Sequence, residues 1–369
     1  MDFNYSEEQR MLADSLRRFV DTEYTFGKRR SIARESRGVD RNIWGALAEM
    51  GVTGLTVPQA FGGFGEGAAS QLVVHRELGR GLVLEPVVPS AVMATAILAA
   101  FGTPTQQDTW LPALADGHRV MAVAYLEPGS RYRPEATRTR AVRSGDGYVL
   151  DGVKSLVWHG EVADACLVTA RLDGEIALFV VPRERLAITA YPTMDGMHGA
   201  DLRLDGFALE ADALVTRNGM AALQHGLDHG VAAQAAGAAG AIERLIEITA
   251  EYLRTRRQFG IPLAALQALQ HRLADMLVQK ELALSMAYVA AQALDEADPA
   301  RRQLMLAGAK VVVARAGRFV GQQAVQLHGG MGMTDELEVG DYFKFLTMTD
   351  VLLGDSDFHL ERYGAALAA

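Results

Sequence analysis

Two segments in the C-terminal half carry residue types suited to holding an anion: Tyr252-Leu-Arg-Thr-Arg256-Arg-Gln258-Phe259-Gly260 and Gln326-Leu-His-Gly329-Gly330-Met-Gly332. A guanidinium forks onto phosphate oxygens, and successive glycines let backbone N–H groups approach an anion without Cβ interference. Each segment also has a plain structural reading. An arginine-rich helix end followed by Gly260 is an ordinary helix stop, with cations on the negative end of the macrodipole. A glycine cluster after a helix is usually a turn. Their joint occurrence favours a site over two coincidental turns.

Other chemistries fit less well. His225-Gly-Leu-Asp228-His229 puts two imidazoles one helical turn apart with an adjacent carboxylate, as in helical zinc sites. A third ligand is not evident, so these are read as surface or helix-start histidines and no metal is expected. No Gly-x-Ser-x-Gly nucleophile turn occurs. The glycines of Phe61-Gly-Gly-Phe-Gly-Glu-Gly67 lack the spacing of a dinucleotide fingerprint and read as a loop.

With 369 residues, 49% hydrophobic and 22% charged, the chain can build two or three packed units and falls outside the disordered and fibrous classes. The net charge is −9 and the 36 lysines and arginines are scattered, so nucleic-acid binding is not expected. Cys166 is the only cysteine, which excludes an intrachain disulfide and suits a reducing cytoplasm. The acidic opening Met1-Asp-Phe-Asn-Tyr-Ser-Glu-Glu lacks the pattern of a signal peptide, which also predicts a cytoplasmic location. The most apolar stretch, Ala91 to Phe101, is about half the length of a spanning helix and predicts a buried core helix instead.

Three blocks must position the candidate residues. Block 1–117 reads as helical: Ser6-x-x-Gln9 is a capping box, Leu12, Leu16, Phe19 and Val20 follow at helical spacing, and Ile43, Trp44 and Leu47 suggest a second helix. Residues 51–58 read as an extended piece before a wide turn. In block 118–213 five Asp-Gly pairs, at 146–147, 151–152, 173–174, 195–196 and 205–206, separate short apolar runs and predict the hairpins of a small antiparallel β unit. Block 214–369 returns to long helices. An Ala/Gly-rich helix over 221–256 should let its neighbours approach closely, a stripe of Leu266, Leu269, Leu273, Met276 and Leu277 marks the next, and Asp298-Pro299 opens a third. A four-helix bundle closes such a block. The predicted fold class is α+β, helical, then β, then helical.

The two opening segments resemble the acyl-CoA dehydrogenase family, and the likeness runs from Tyr5-Ser-Glu-Glu-Gln9 to Asp355-Ser-Asp-Phe-His-Leu-Glu-Arg362. The resemblance implies the family's helix–β–helix fold. It also implies α,β-desaturation of an acyl-CoA thioester, in which a carboxylate takes the α-proton and the β-hydrogen leaves as hydride to flavin N5. By the same likeness Arg256, Gln258, Phe259, Gln267, Gln326, Gly329 and Gly330 hold FAD, with Trp158 against the flavin ring. Counting back from Arg362 places Asp355 where most members carry the catalytic glutamate. The family further implies electron-transferring flavoprotein as electron acceptor and a dimer or tetramer whose protomers share each FAD.

Departures from the family pattern open a second reading. The Thr-Glu-Pro-x-x-Gly-Ser-Asp stretch appears as Leu126-Glu127-Pro128-Gly129-Ser130-Arg131, the Trp-Ile-Thr-Asn strand as Leu156-Val157-Trp158-His159 after a matching Lys154, and the usual Arg-Asp as Leu346-Thr347. Aspartate is one methylene shorter than glutamate, about 1.5 Å, and misplacing a base by about 1 Å can cost on the order of a hundredfold. Some relatives place the base at a position that is Gly230 here. Asp228 reads as a helix-start or packing residue. Gly226 and Gly230 are expected either to widen the acyl pocket or to permit close helix packing. Such rebuilding resembles the partner subunits of heteromeric acyl-CoA dehydrogenases, in which one subunit lends FAD-binding residues to the other, and the ending Gly354-Asp-Ser-Asp-Phe-His-Leu with the start Met1-Asp-Phe-Asn-Tyr-Ser-Glu-Glu-Gln resembles the small subunit of pimeloyl-CoA dehydrogenase.

Overall fold

The computed structural model describes residues 5–368, so the opening Met1 to Asn4 and the closing Ala369 lie outside the described residues. In chain order, helices α1 (Glu7–Glu23), α2 (Phe26–Glu35), α3 (Arg41–Glu49), α4 (Ala68–Arg80), α5 (Thr95–Phe101) and α6 (Pro104–Ala115) come first. Strands β1 (Met121–Ala124), β2 (Arg140–Ser144), β3 (Gly147–Trp158), β4 (Ala165–Leu172), β5 (Glu175–Pro182), β6 (Ala187–Pro192), β7 (His198–Leu209) and β8 (Leu214–Thr216) follow. Then come α7 (Gly219–Thr255), the short hairpin β9 (Arg257–Gln258) and β10 (Ile261–Pro262), α8 (Gln267–Ala293), α9 (Pro299–His328), α10 (Val339–Val351) and α11 (Ser356–Ala368). This is the predicted α+β order.

Two compact units divide the chain: Met1–Arg30, Ala68–Val83 and Val231–Ala369 form one, Ser31–Gly67 and Leu84–Gly230 the other. The first is helical. Ser6 and Gln9 complete the expected capping box of α1, and Asp298 caps α9 through the Ala300 N–H at 3.0 Å. The core is built on alanine and glycine, as the composition of α7 predicted. A Cβ on Gly79 of α4 would run into the Gly237 carbonyl, and one on Gly240 into the Arg76 carbonyl, so the two helices touch backbone to backbone. Two bidentate pairs, Arg76 with Glu243 and Arg80 with Glu247, tie the same helices along their edge.

The second unit carries the sheet, in the order β6-β7-β3-β2-β4-β5-β8 with β1 beside β4. It is not purely antiparallel: β4 runs parallel to both β1 and β2. Three Asp-Gly pairs make the predicted turns, between β2 and β3, β4 and β5, and β6 and β7. The other two do not. Asp151-Gly152 and Asp205-Gly206 lie inside β3 and β7, where the register shifts between Leu150 and Gly152 and Asp151 Oδ1 accepts the Gly206 N–H at 2.7 Å. A bulge uses the same permissive residues as a turn, and so produces the same local signal.

Among the helices, Ile43, Trp44 and Leu47 are buried on α3, which is the third helix rather than the second. The preceding α2 escaped notice because it is strongly charged and buries little besides Arg29 and Ile32. Residues 51–58 form successive turns rather than a strand, with the chain folding back so that Phe64 N–H reaches the Gly54 carbonyl at 3.0 Å. The apolar stretch is buried from Ala91 to Leu98, though Ala100 is exposed and a wide π-type turn over Val87–Ala94 precedes α5. Among the described residues no helix is long and apolar enough to cross a membrane.

Candidate active site

Within the helical unit, Tyr252 and His328 join the two segments expected to hold an anion. Their rings stack with centroids 4.3 Å apart, and the Tyr252 hydroxyl donates to the His328 carbonyl oxygen at 3.3 Å. His328 Nδ1 lies 2.8 Å from the Ala324 carbonyl oxygen, which requires the proton on Nδ1. Burial lowers the His328 pKa, which keeps the ring neutral. The histidine therefore acts as a wedge between segments rather than as an acid.

Arg256 and Gly260 do not form the plain helix stop. α7 ends at Thr255, and the chain continues into the β9–β10 hairpin, whose turn residues Phe259 and Gly260 both have positive φ, 53° and 79°. That is the two-residue hairpin turn for which glycine is suited and phenylalanine is not. Phe259 stands 90% exposed at the tip. Arg256 is exposed and pairs with no carboxylate among the described residues, whereas Arg254 pairs with Glu251. Gln258, Gln267 and Gln326 are exposed as well.

The glycines after α9 differ in purpose. Gly329 has φ 60° and ψ −139°, a backbone conformation essentially reserved for glycine. A Cβ on Gly330 would meet nothing within 4 Å, so packing does not demand a glycine there. On Gly332 it would come within 2.6 Å of the Val325 carbonyl oxygen. The Gly329 N–H donates to the Gln326 carbonyl oxygen, so the features open to a ligand phosphate are the exposed Arg256 guanidinium and the side-chain-free space at Gly330.

Asp355 lies half-buried in the turn between α10 and α11. Its Oδ1 accepts the Phe358 N–H at 2.8 Å, the bond of an N-capping residue. Neighbours hold the turn from several sides. Asp350 Oδ1 accepts from Ser356 N–H at 2.9 Å and from its hydroxyl at 2.6 Å, while Asp350 Oδ2 pairs with Arg318 at 2.5 Å. His359 Nε2 donates to the Leu353 carbonyl oxygen at 2.9 Å, and burial foremost pushes that histidine down to about 4. Lys310, a residue that pattern reading passed over, reaches the same turn from α9. Its one signal was a lone cation inside the apolar run Ala307-Gly-Ala-Lys310-Val-Val-Val.

In the sheet unit, Trp158 closes β3, half-buried, with its indole N–H on the Met197 sulfur at 3.0 Å. A register shift between Lys154 and Val157 re-aims this strand end, and both Leu156 and His159 have positive φ, 50° and 57°. Such strain gathers at functional sites. His159 is buried, which drives its pKa down to about 3.

The surviving Glu127 and Lys154 have a structural reason to survive. Lys154 Nζ donates to Glu127 Oε1 at 2.6 Å and to Thr169 Oγ1 at 3.0 Å, and the Glu127 carboxylate also accepts the Arg138 and Thr139 N–H groups. A buried pair with its remaining valences filled is costly to break from one side. Burial pushes Lys154 down to about 8 against the pull of Glu127.

On α7, Gly226 packs against Ile97, whose Cδ1 would lie 2.6 Å from an added Cβ, so close packing accounts for that glycine. Asp228 is buried and accepts from Gln224 Nε2 at 2.6 Å, a packing role. His225 and His229 meet edge-on, 4.8 Å between centroids.

Two family models match the chain: the acyl-CoA dehydrogenase N-terminal domain over residues 6–118 and the acyl-CoA dehydrogenase C-terminal domain over residues 217–368. Acyl-CoA dehydrogenase FadE27 of Mycobacterium tuberculosis is 31% identical, covering 100% of this chain and 99% of the relative. Among solved structures, a chain of the ChsE4-ChsE5 complex from Mycobacterium tuberculosis superposes with a TM-score of 0.91 at 30% identity, over 100% of this chain and 99% of the other. A glutaryl-CoA dehydrogenase from Mycobacterium smegmatis in complex with FADH2 gives 0.90 at 25% identity, over 98% and 95%. Relatives matched along their whole length, together with both family models, establish that this chain belongs to the acyl-CoA dehydrogenase family of oxidoreductases.

Proposed function

We propose that this chain carries out FAD-dependent α,β-dehydrogenation of an acyl-CoA thioester with Asp355 as the base. The reading is carried by the combination, in the helical unit, of a guanidinium with no carboxylate partner among the described residues and an exposed glycine turn. Arg256 and the Gly329–Gly330 turn are exposed and linked through the Tyr252–His328 stack. Arg256, Gln258, Phe259, Gln267, Gln326, Gly329 and Gly330 would hold FAD, and Trp158 would lie against its ring. Bound FAD supplies the hydride acceptor. Asp355 spends one carboxylate oxygen on the Phe358 N–H and keeps the other for the α-proton. The FADH2 complex of the glutaryl-CoA dehydrogenase relative supports the cofactor.

The exposed Phe259 supports a second subunit over the hairpin, hence a dimer or tetramer. Electron-transferring flavoprotein as electron acceptor, and a cytoplasmic location, belong to the same reading. So does a division into blocks 1–117, 118–213 and 214–369, which the bounds of the two family models support.

A second reading keeps the fold and moves the chemistry elsewhere: a partner subunit that lends FAD-binding residues to another dehydrogenase chain, as the likeness to a pimeloyl-CoA dehydrogenase small subunit implies. The relative found in a two-component complex, ChsE4-ChsE5, and the rebuilt segments 126–133 and 156–159 favour it. Flavin content separates the readings. The first predicts a stoichiometric flavin spectrum from the chain purified alone. A colourless chain that turns yellow only on co-expression with a second dehydrogenase subunit would establish the partner role.

A further inference from the structure

Lys310 sits midway along α9 and is 1% exposed. Its ammonium has three donors, and each has an acceptor: Gln234 Oε1 on α7 at 2.7 Å, the Leu352 carbonyl oxygen at 2.6 Å, and the Thr349 carbonyl oxygen. No carboxylate bonds it directly, although Asp350 and Asp355 both lie within reach of its field. The two carbonyls belong to the last turn and the cap of α10, the end where backbone acceptors lack intrahelical partners and where cations are favoured.

The lysine therefore holds the entrance of the turn that carries Asp355. Beyond Leu352 the backbone passes through two left-handed residues, Leu353 at φ 62° and Gly354 at φ 104°, before Asp355 caps α11. A non-glycine residue in that region persists only when its surroundings hold it there. An ammonium taken out of water is expensive, and an apolar side chain of similar volume would fill the same space at lower cost. Burial accordingly pulls Lys310 down to about 7. Packing alone gives no reason to keep the charge. Fixing three acceptors on two other helices does, because a point cation with three rotatable donors can gather them at once.

We propose that Lys310 is a positioning residue, which by gripping the Thr349 and Leu352 carbonyls fixes the 352–355 turn and so the place from which Asp355 reaches the acyl group. The proposal rests on Asp355 being the base. Its test is Lys310→Met in the flavin-loaded protein, read by amide hydrogen exchange and by steady-state kinetics. Amides of residues 353–358 should exchange at least about tenfold faster while β4 and β5 are unchanged, and kcat should fall at least about tenfold with KM within about threefold. Should Lys310→Met fail to fold, Lys310→Gln, which keeps an N–H donor, is measured in the same way. Wild-type exchange in 353–358, or wild-type kcat beside an inactive Asp355→Asn, would overturn the proposal alone. Turnover surviving in Asp355→Asn would overturn the base assignment and the proposal together.

Discussion

Gly330 and Gly332 stand two positions apart and face opposite constraints. The first has open space where a side chain would begin, and the second has the Val325 carbonyl. Gly330→Ala should therefore leave the unfolding free energy within about 0.5 kcal/mol of wild type, yet lower flavin retention on gel filtration, because the methyl group enters the space a phosphate would occupy. Gly332→Ala should cost about 1–3 kcal/mol by overpacking. An unstable Gly330→Ala, or one that keeps its flavin fully, would contradict this division. Glu127 and Lys154 carry a related lesson. They persist in rebuilt stretches because they form one buried pair, so a match at those positions reports on the scaffold rather than on the reaction.

Helix starts were the most legible elements, because a cap is a local bond: Ser6 with Gln9 and Asp298 with Ala300 form as the residue types require. The Ala/Gly content of α7 foretold its contact with α4 for an equally direct reason, since nothing but backbone separates Gly79 from Gly237. Strand boundaries were less legible. Asp151-Gly152 and Asp205-Gly206 look like turns but sit in paired strands, and only the long-range pairing of β3 with β7 reveals a bulge. The candidate site divides the same way. Arg256 and the glycine turn are candidates that residue type alone proposes. The Tyr252–His328 stack and the grip of Lys310 join residues far apart in the chain, so spacing held no trace of them.

At the scale of the whole molecule, buried neutral histidines should make stability fall in acid. Burial lowers His75 and His359 to about 4 and His159 to about 3. In the unfolded chain each titrates near 6.5, so below that pH only the unfolded state takes up these protons. Stability present above about pH 6.5 is thus lost as the pH falls toward 4, by up to about 1.4 kcal/mol per pH unit for each histidine. Denaturant midpoints measured from neutral pH downward check this, and a midpoint that stays flat to about pH 4.5 would contradict the burial assigned to them. Whether the chain turns over is read from anaerobic bleaching of its flavin by an acyl-CoA. The purified chain should bleach on mixing, and Asp355→Asn should retain its flavin and helix cap but no longer bleach. Bleaching that persists in Asp355→Asn, or a flavin-loaded wild type that no acyl-CoA reduces, would contradict dehydrogenation with Asp355 as the base.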